Sequence, residues 1–435
     1  MTSQPVTAAR SALASACAEL REAGPDDAVA GVQPSFMAAP ATAQEAAATM
    51  RAAAGLGLAV VPKGSGSRLS WGLPPRRCDL VIETRLLDQV VEHASGDWIA
   101  TVQPGVTMER LAQVLGEAGQ QLSLDAPAPA GAGAGTIGGG TIGGVLATGV
   151  AGPLRLRHGT PRDLVIGVHI IRADGTAARA GGKVVKNVAG YDLGKLFAGS
   201  YGTLGLITQA TFRLHPVPAA TSYVTRSCAT SAQVAQAVAD AAGSPLQASA
   251  IEIDRPSPGG PTQVGVLLEG HPSGVPERTD GLRDLLGGDA AAAGEPPPWW
   301  GRGAAAAGEG TLIRMTFWAG GLAAVLDAVD DAAAQAGLAA ALSGSAAAGV
   351  LHIATGGPPG PVAQFVTALR AAIGQADPDR LPPVRGSVVV LTAPPPVREA
   401  VDLWGPLPGA ALMRAVKDQF DPDHRMAPGR LAGGI

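Results

Sequence analysis

Between Ala126 and Leu154 the chain carries no charged residue and ten glycines, with three prolines toward the ends of the stretch. The run is long enough and apolar enough to cross a bilayer as a helix. Its glycines argue against that, because each costs roughly 1 kcal/mol relative to alanine in a helix interior, and the prolines break the ends. What is left is backbone with few side chains, the form a chain takes where its main chain must come close to something else. We therefore expect a loop there and not a membrane span.

The 435 residues (43.2 kDa) leave room for two or more domains, each with its own core. Charged residues are 16% and the net charge is -4, so there is no cationic excess to neutralise a phosphate backbone, and nucleic acid is not an expected partner. Hydrophobic residues reach 46% while aromatics are 3%, so the apolar content is mostly small aliphatic side chains of a globular protein. Cys17, Cys78 and Cys228 are far apart, with no Cys-x-x-Cys pair to ligate an iron–sulfur cluster or run thiol redox chemistry. The seven histidines lack every metal-binding spacing, so no metal site is expected. Met1 to Leu20 has one arginine and no sustained apolar run, so no secretory signal is expected and the cytoplasm is the default location.

Periodicity gives an α+β chain. Helices are predicted near the N-terminus and over 41–54. Short apolar strands follow at 58–61, 80–82, 89–92 and 98–102, and Thr107 is placed to cap a helix running to about residue 118. A strand at 164–172, a turn at Ala173-Asp174-Gly175 and a strand at 211–214 close this part, with Pro216 and Pro218 marking a boundary. Beyond residue 219, strands at 248–253, 264–269, 312–317, 350–354 and 387–392 alternate with helices at 277–286, 322–336 and 361–375. This suits an antiparallel sheet with helices on one face. Residues 287–310, rich in Ala, Gly and Pro, read as a mobile loop, and 412–420 as a last helix.

Gly133-Ala134-Gly135-Thr136-Ile137-Gly138 matches G-x-G-x-x-G, but Ala126-Pro127-Ala128-Pro129 precedes it where a dinucleotide fold needs a strand. A second way to hold a diphosphate is a concave nest of successive backbone N–H groups in glycine-rich turns, which needs no lysine. Such turns occur at 63–67, 141–144 and 199–205.

Taken in order, these turns resemble those of the FAD-binding family of p-cresol methylhydroxylase and vanillyl-alcohol oxidase. Pro62-Lys63-Gly64-Ser65-Gly66-Ser67 is similar to the first phosphate loop, and Thr141-Ile142-Gly143-Gly144 with Gly149 to the second. Gly152-Pro153-Leu154-Arg155, His158-Gly159-Thr160-Pro161-Arg162-Asp163 and the run Gly182 to Leu193 resemble the FAD-binding subunits of bacterial glycolate oxidases. The run Gly199 to Thr208 and the tail Phe420-Asp421-Pro422 with Pro428-Gly429-Arg430 continue that likeness.

The resemblance implies a two-part FAD-binding domain of the p-cresol methylhydroxylase type over 1–218 and an α+β cap over 219–410. A C-terminal helix and tail over 411–435 would return to the FAD domain. FAD would be held non-covalently by Pro62, Lys63, Gly64, Ser65, Gly66, Ser67, Thr141, Ile142, Gly143 and Gly144. Gly149, Arg155, Asn187, Gly202 and Ile207 would lie along the ribityl chain, adenosine and ring, and Lys186 and Tyr191 are the candidates to tune the flavin, against the ordinary readings of a solvated lysine and a packed tyrosine. His158 is the candidate for a covalent link, against the more ordinary reading of a structural imidazole. The family's tail has Asn before Pro-Gly, where this chain has Ala427.

The cap is less informative. His271 and His352 are its histidines, and no local constellation supplies a general base. Arg314 is a candidate carboxylate clamp, against a solvent-facing strand arginine, and Trp299-Trp300 either closes a loop over a partner or packs. The implied function is an FAD-dependent subunit oxidising a 2-hydroxy acid such as glycolate. Its partners would be a homologous catalytic flavin subunit and an iron–sulfur subunit, with membrane contact, at the inner face, only through them. The alternatives are a structural or electron-relay subunit that keeps the flavin fold, and a standalone oxidase of another hydroxy acid.

Overall fold

The computed structural model describes residues 3–127, 139–183, 191–303, 310–374 and 386–435. The N-terminal part is built on two sheets. The first has four strands in the order Glu19–Glu22, Phe36–Ala39, Leu80–Glu83 and Val60–Lys63, of which the last three run parallel. Its parallel strands read as unbroken apolar runs because both faces are covered, on one side by the helix Ala43–Gly55. Thr42 caps that helix by accepting from the amide of Glu45. The second sheet is antiparallel, in the order Val90–Ala94, Ile99–Val102, Leu206–Arg213, Val165–Ile171 and Ala177–Gly181. The helix Met108–Gly116, capped by Thr107 as expected, packs Leu111 and Leu115 into its core.

The strand expected at 211–214 is longer, Leu206–Arg213, since Leu206, Ile207 and Ala210 are apolar enough to continue the buried ladder. The glycine stretch differs from a plain loop: Ile142–Thr148 forms two turns of helix, capped by the hydroxyl of Thr141. Burial of Ile142, Val145 and Leu146 supplies what the glycines take from helix propensity. The match at Gly133 to Gly138 lies outside the described residues.

From Ala220 onward the chain forms one eight-stranded antiparallel sheet made of two βαββαβ units. The first contains strands Ala220–Cys228, Ala250–Arg255, Thr262–Gly270 and Ala291–Ala293 with helices Ser231–Gly243 and Val275–Leu286. The second contains strands Thr311–Phe317, Ala340–Gly344, Val350–Thr355 and Gly386–Thr392 with helices Leu322–Ala336 and Pro359–Gly374. They join edge to edge where Ile253, Asp254 and Arg255 pair with Gly344, Ser343 and Leu342. All four helices lie on one face over a core that includes Ile251, Val266, Ile313, Met315, Val325 and Phe365. Strands Ala220–Cys228 and Ala340–Gly344 and helix Ser231–Gly243 escape the sequence reading. Of the segment read as a loop at 287–310, residues 304–309 lie outside the described residues, while Ala291–Ala293 forms a strand paired with Tyr223 to Thr225, and Trp299 and Trp300 pack against the sheet.

The C-terminal helix Ala410–Phe420 leads back to the first sheet. The amide of Val60 donates to Arg425 O at 2.8 Å and the amide of Ala427 to Val60 O at 2.7 Å, so the tail extends that sheet beside its edge strand. Ala427 is fully buried there at φ 42°, a left-handed conformation that asparagine adopts more readily than alanine.

Candidate functional site

The edge strand Val60–Lys63 ends in the first glycine loop, and the second loop and Gly199 to Gly205 converge on it from the antiparallel half. A side chain at Gly64 would run into the Thr141 hydroxyl, and one at Gly202, where φ is +75°, would meet Pro62 at 3.1 Å. At both points the backbone of one loop packs directly against a side chain of another segment, which is the physical reason for glycine there. Between them lies a cleft of about 760 Å³, partly open to solvent. Its walls include Pro62 to Arg68, Gly143, Gly144, Tyr201, Gly202, Ile207 and Arg430.

Of the residues singled out in the sequence, Pro62, Lys63, Gly64, Ser65, Gly66, Ser67, Gly143, Gly144, Gly202 and Ile207 line this cleft together. Thr141 and Ile142 stand just behind, as helix cap and buried first residue. Gly149 ends that helix at φ 65°, packed against Gly199. Arg155 turns inward elsewhere, donating to the carbonyls of Ala151 and Gly152. Tyr191 is exposed at 87%, so no contact supports a tuning role for it, and Lys186 and Asn187 lie outside the described residues. His158 stacks on His215 with ring centroids 4.3 Å apart and does not line the cleft.

Lys63 is paired with Glu83 at 3.1 Å, so its charge is already compensated. Arg68 is different. It is buried, has no carboxylate partner among the described residues, and donates to Gly139 O at 2.9 Å and Pro127 O at 2.5 Å. It ties the first loop to the start and the middle of the glycine stretch while lining the cleft with a positive charge, and burial lowers its pKa. Glycine-exposed amides, one unpaired guanidinium and a long groove suit a diphosphate carrying an extended ligand, and the cleft fits FAD on these grounds.

Arg68, Tyr201 and Arg430 are the residues that sequence reasoning did not assign. Arg430 donates to Leu69 O and Trp71 O, both at 2.7 Å, and leaves Nη1 without a partner. Tyr201 holds φ 55°, packs edge-on to Trp404 with centroids 5.5 Å apart, and buries a hydroxyl that has no partner. Tyr201 and Arg430 are signalled in the sequence by membership of the Gly199 and Pro428 motifs, and Arg68 by its place directly after the first loop, since their partners come from distant segments.

The sheet face opposite the helices carries the remaining groups. Arg314 is half-buried: it alternates with the core residues Ile313 and Met315, pairs in register with His352, and has a buried Nε without a partner among the described residues. Burial, with Arg155 and Arg314 nearby, pushes the His352 imidazole down to about 3. On the same face, Glu252 accepts from the Ser345 hydroxyl, and burial pushes its carboxyl up to about 8. Trp299 and Trp300 rest over Gly265, with Trp300 edge-on to Tyr223 at 5.1 Å. A side chain at Gly265 would come within 2.6 Å of Trp299, so the pair belongs to the floor of the sheet. His271 bonds Ser273 at 2.7 Å in an exposed turn. Among the described residues no cluster of His, Cys, Asp or Glu could hold a metal, and no helix is long and apolar enough to cross a membrane.

Comparison with known proteins agrees with this geometry. Residues 34–181 match the FAD binding domain family. The glycolate oxidase subunit GlcD of Bacillus subtilis is 38% identical over 159 residues, 37% of this chain and 32% of that protein. The glycolate oxidase subunit GlcE of Escherichia coli is 36% identical over 161 residues, 37% of this chain and 43% of that protein. The matched region spans less than half the length of either relative. Over the whole chain the fold is that of p-cresol methylhydroxylase with substrate bound, at a TM-score of 0.71 and 15% identity, covering 99% of this chain and 97% of that one. The chain carries an FAD-binding domain within a mixed α+β fold of the p-cresol methylhydroxylase type.

Proposed function

We propose, starting from that FAD-binding domain, that the chain is the flavin-binding subunit of an oxidoreductase acting on the CH–OH group of a small 2-hydroxy acid, with glycolate the first candidate. Its partners in this reading are a homologous catalytic flavin subunit and an iron–sulfur subunit, and any membrane attachment comes through them. The domain division we propose is 1–218 for FAD, 219–410 for the cap and 411–435 for the returning helix and tail.

The observation that carries the reading is the lining of the cleft. Glycine loops and Arg68 line it together with Tyr201 and Arg430, and Arg314 on the cap sheet acts electrostatically on the Tyr201 phenol. Bound FAD supplies acceptance of a hydride from carbon. In this proposal the amides of Lys63 to Ser67 and of Gly143 and Gly144 hold the diphosphate, and Arg68 offsets its charge. Gly202 and Ile207 lie along the rest of the cofactor. Arg314 holds the substrate carboxylate, and the non-covalent state follows from a first loop with neither histidine nor cysteine.

One observation favours a second reading, a structural or electron-relay subunit. Two titratable groups on this face of the sheet are poorly set to take a proton from a hydroxyl. His352 is held near 3, and Glu252, at about 8, already carries its proton at neutral pH. The test is the visible spectrum of the purified chain followed by anaerobic glycolate. Bleaching by the chain alone supports a substrate-competent subunit. Bleaching only after the partners are added supports the relay reading, and no bleaching with either glycolate or D-lactate refutes the substrate class.

A further inference from the structure

Arg213 and His215 stand where the chain leaves the five-stranded sheet for the cap. Leu214 between them is buried in the core of that half, so the two side chains share the opposite side, as alternate residues of an extended segment do. The short helix Arg155–His158 meets them there. Its last residue stacks on His215, with ring centroids 4.3 Å apart and planes tilted by 50°. Its neighbour Arg157 donates to the Ser249 hydroxyl of the cap at 3.2 Å. None of the four residues lines the cofactor cleft.

Two guanidiniums and two imidazoles thus come together, and no acid answers them. Among the described residues neither Arg157 nor Arg213 has a carboxylate within 4.0 Å. Arg213 Nε is buried and has no partner among them. Burial pushes the His158 imidazole down to about 4, with His215, Arg157 and Arg213 adding to it, and burial, Arg213 and Arg157 lower His215 in the same way. Ser123 meets Nδ1 of His215 at 3.1 Å, which leaves Nε2 as the second ring nitrogen. Packing cations side by side away from water is costly unless negative charge joins them, and a buried guanidinium nitrogen is seldom left unpaired.

We propose that Arg157, His158, Arg213 and His215 form a binding site for a phosphate-type dianion, separate from the cleft that holds the flavin diphosphate. Arginine forks match the oxygens of a tetrahedral oxyanion, and each neutral imidazole adds one N–H donor. Arg213 and both imidazoles are only partly accessible, so the donors suit a small anionic group more than the broad acidic face of a partner protein. An anion bound here joins the end of the strand Leu206–Arg213 to the helix that Arg157 anchors on the cap, and so steadies one domain against the other. The group is either free phosphate or the phosphoryl end of a larger ester. The inference is independent of the substrate class proposed above.

The experiment uses the FAD-loaded full chain, so that the cofactor cleft is filled, in phosphate-free buffer at constant ionic strength. Inorganic phosphate and, separately, glycerol phosphate are titrated by calorimetry, and thermal unfolding is followed with and without each. Saturable binding and a raised melting temperature are expected for the wild type. Binding should be about 10-fold weaker for Arg157→Met and on the order of 100-fold weaker for Arg213→Met, with flavin content the same in all three. Without ligand, Arg213→Met should melt no lower than the wild type, because the cation it removes has no ion pair to lose. Tighter binding of the free ion identifies phosphate itself as the ligand, and tighter binding of the ester identifies a phosphoryl group on a larger molecule. Absence of binding by the wild type, or binding unchanged in both arginine variants, overturns the site. Binding that is lost in Arg68→Met but kept in Arg157→Met and Arg213→Met places the anion in the cofactor cleft and overturns it too. If neither phosphate compound binds while a polyglutamate peptide does, the cluster serves an acidic protein segment and the phosphate site falls.

Discussion

Lys417 donates to Asp421 at 2.6 Å one helical turn away, and both side chains are fully shielded from solvent. The same ammonium donates to Thr203 O at 2.7 Å and Met426 O at 2.8 Å, while Asp421 accepts from the amides of Arg425 and Met426. Thr203 belongs to the loop that carries Tyr201 and Gly202, and Met426 lies beside Val60 at the root of the first glycine loop. One ion pair thus fixes the tail against two walls of the cofactor cleft.

Lys417→Met leaves Asp421 charged and buried without its partner, and breaking such a pair costs about 3–5 kcal/mol. Urea unfolding should show that loss, and the purified variant should carry less flavin than the wild type. An unchanged unfolding midpoint would mean that the tail is not docked as described.

Gly143 and Gly144 should behave differently. A side chain at Gly143 would meet Pro104 at 2.6 Å, so substitution there perturbs the fold itself. At Gly144 the nearest obstacle is the Thr141 hydroxyl at 3.4 Å, and the space beyond is the cleft. Gly144→Val is expected to retain its circular dichroism spectrum and lose its flavin absorbance. Stoichiometric flavin in that variant would displace the cofactor from this loop.

Glu252 sets a pH dependence of stability. Its folded pKa of about 8 lies above the unfolded value of 4.5, so the native state binds more protons than the unfolded state between those limits. Its contribution is fully present below the unfolded pKa and is lost as pH rises through the folded one. The melting temperature of the wild type should fall more between pH 5 and pH 8, taken as about those values, than that of Glu252→Gln, whose amide does not titrate. Equal slopes would show that the carboxyl is not buried as described.

Acid precipitation should release the flavin into the supernatant. Ser65 and Ser67 occupy the first loop, and His158 is engaged with His215, whose other side bonds Ser123 at 3.1 Å. Flavin that stays with the precipitate would require a covalent link to a side chain outside these loops.

Much of this was legible in the sequence because it was local. The helix Leu322–Ala336 has clean apolar periodicity and an unambiguous glycine stop, and its boundaries were read directly. Thr107 announced its helix through a side-chain cap. Strand Ala340–Gly344 was missed because Ala, Ser and Gly carry no β preference, and only its place in the ladder makes it a strand. The glycine loops were legible as a set, since each needs backbone approach. Arg68, Tyr201 and Arg430 were not, because nothing near them in the chain tells which distant carbonyls Arg68 reaches or that atoms of Tyr201 and Arg430 stay unpaired among the described residues. That is a property of burial created by three segments meeting.

The seam between Ile253 and Gly344 has a consequence for how this protein can change. Glu252 stands on one βαββαβ unit and Arg314 and His352 on the other, while the glycine loops belong to neither. In the proposed function, ligand preference and cofactor grip are thus written in separate parts of the chain. Either unit can exchange the residues on the face its helices leave uncovered while its helix-covered core stays intact. On that proposal, such a scaffold can acquire a new substrate without relearning how to hold its flavin.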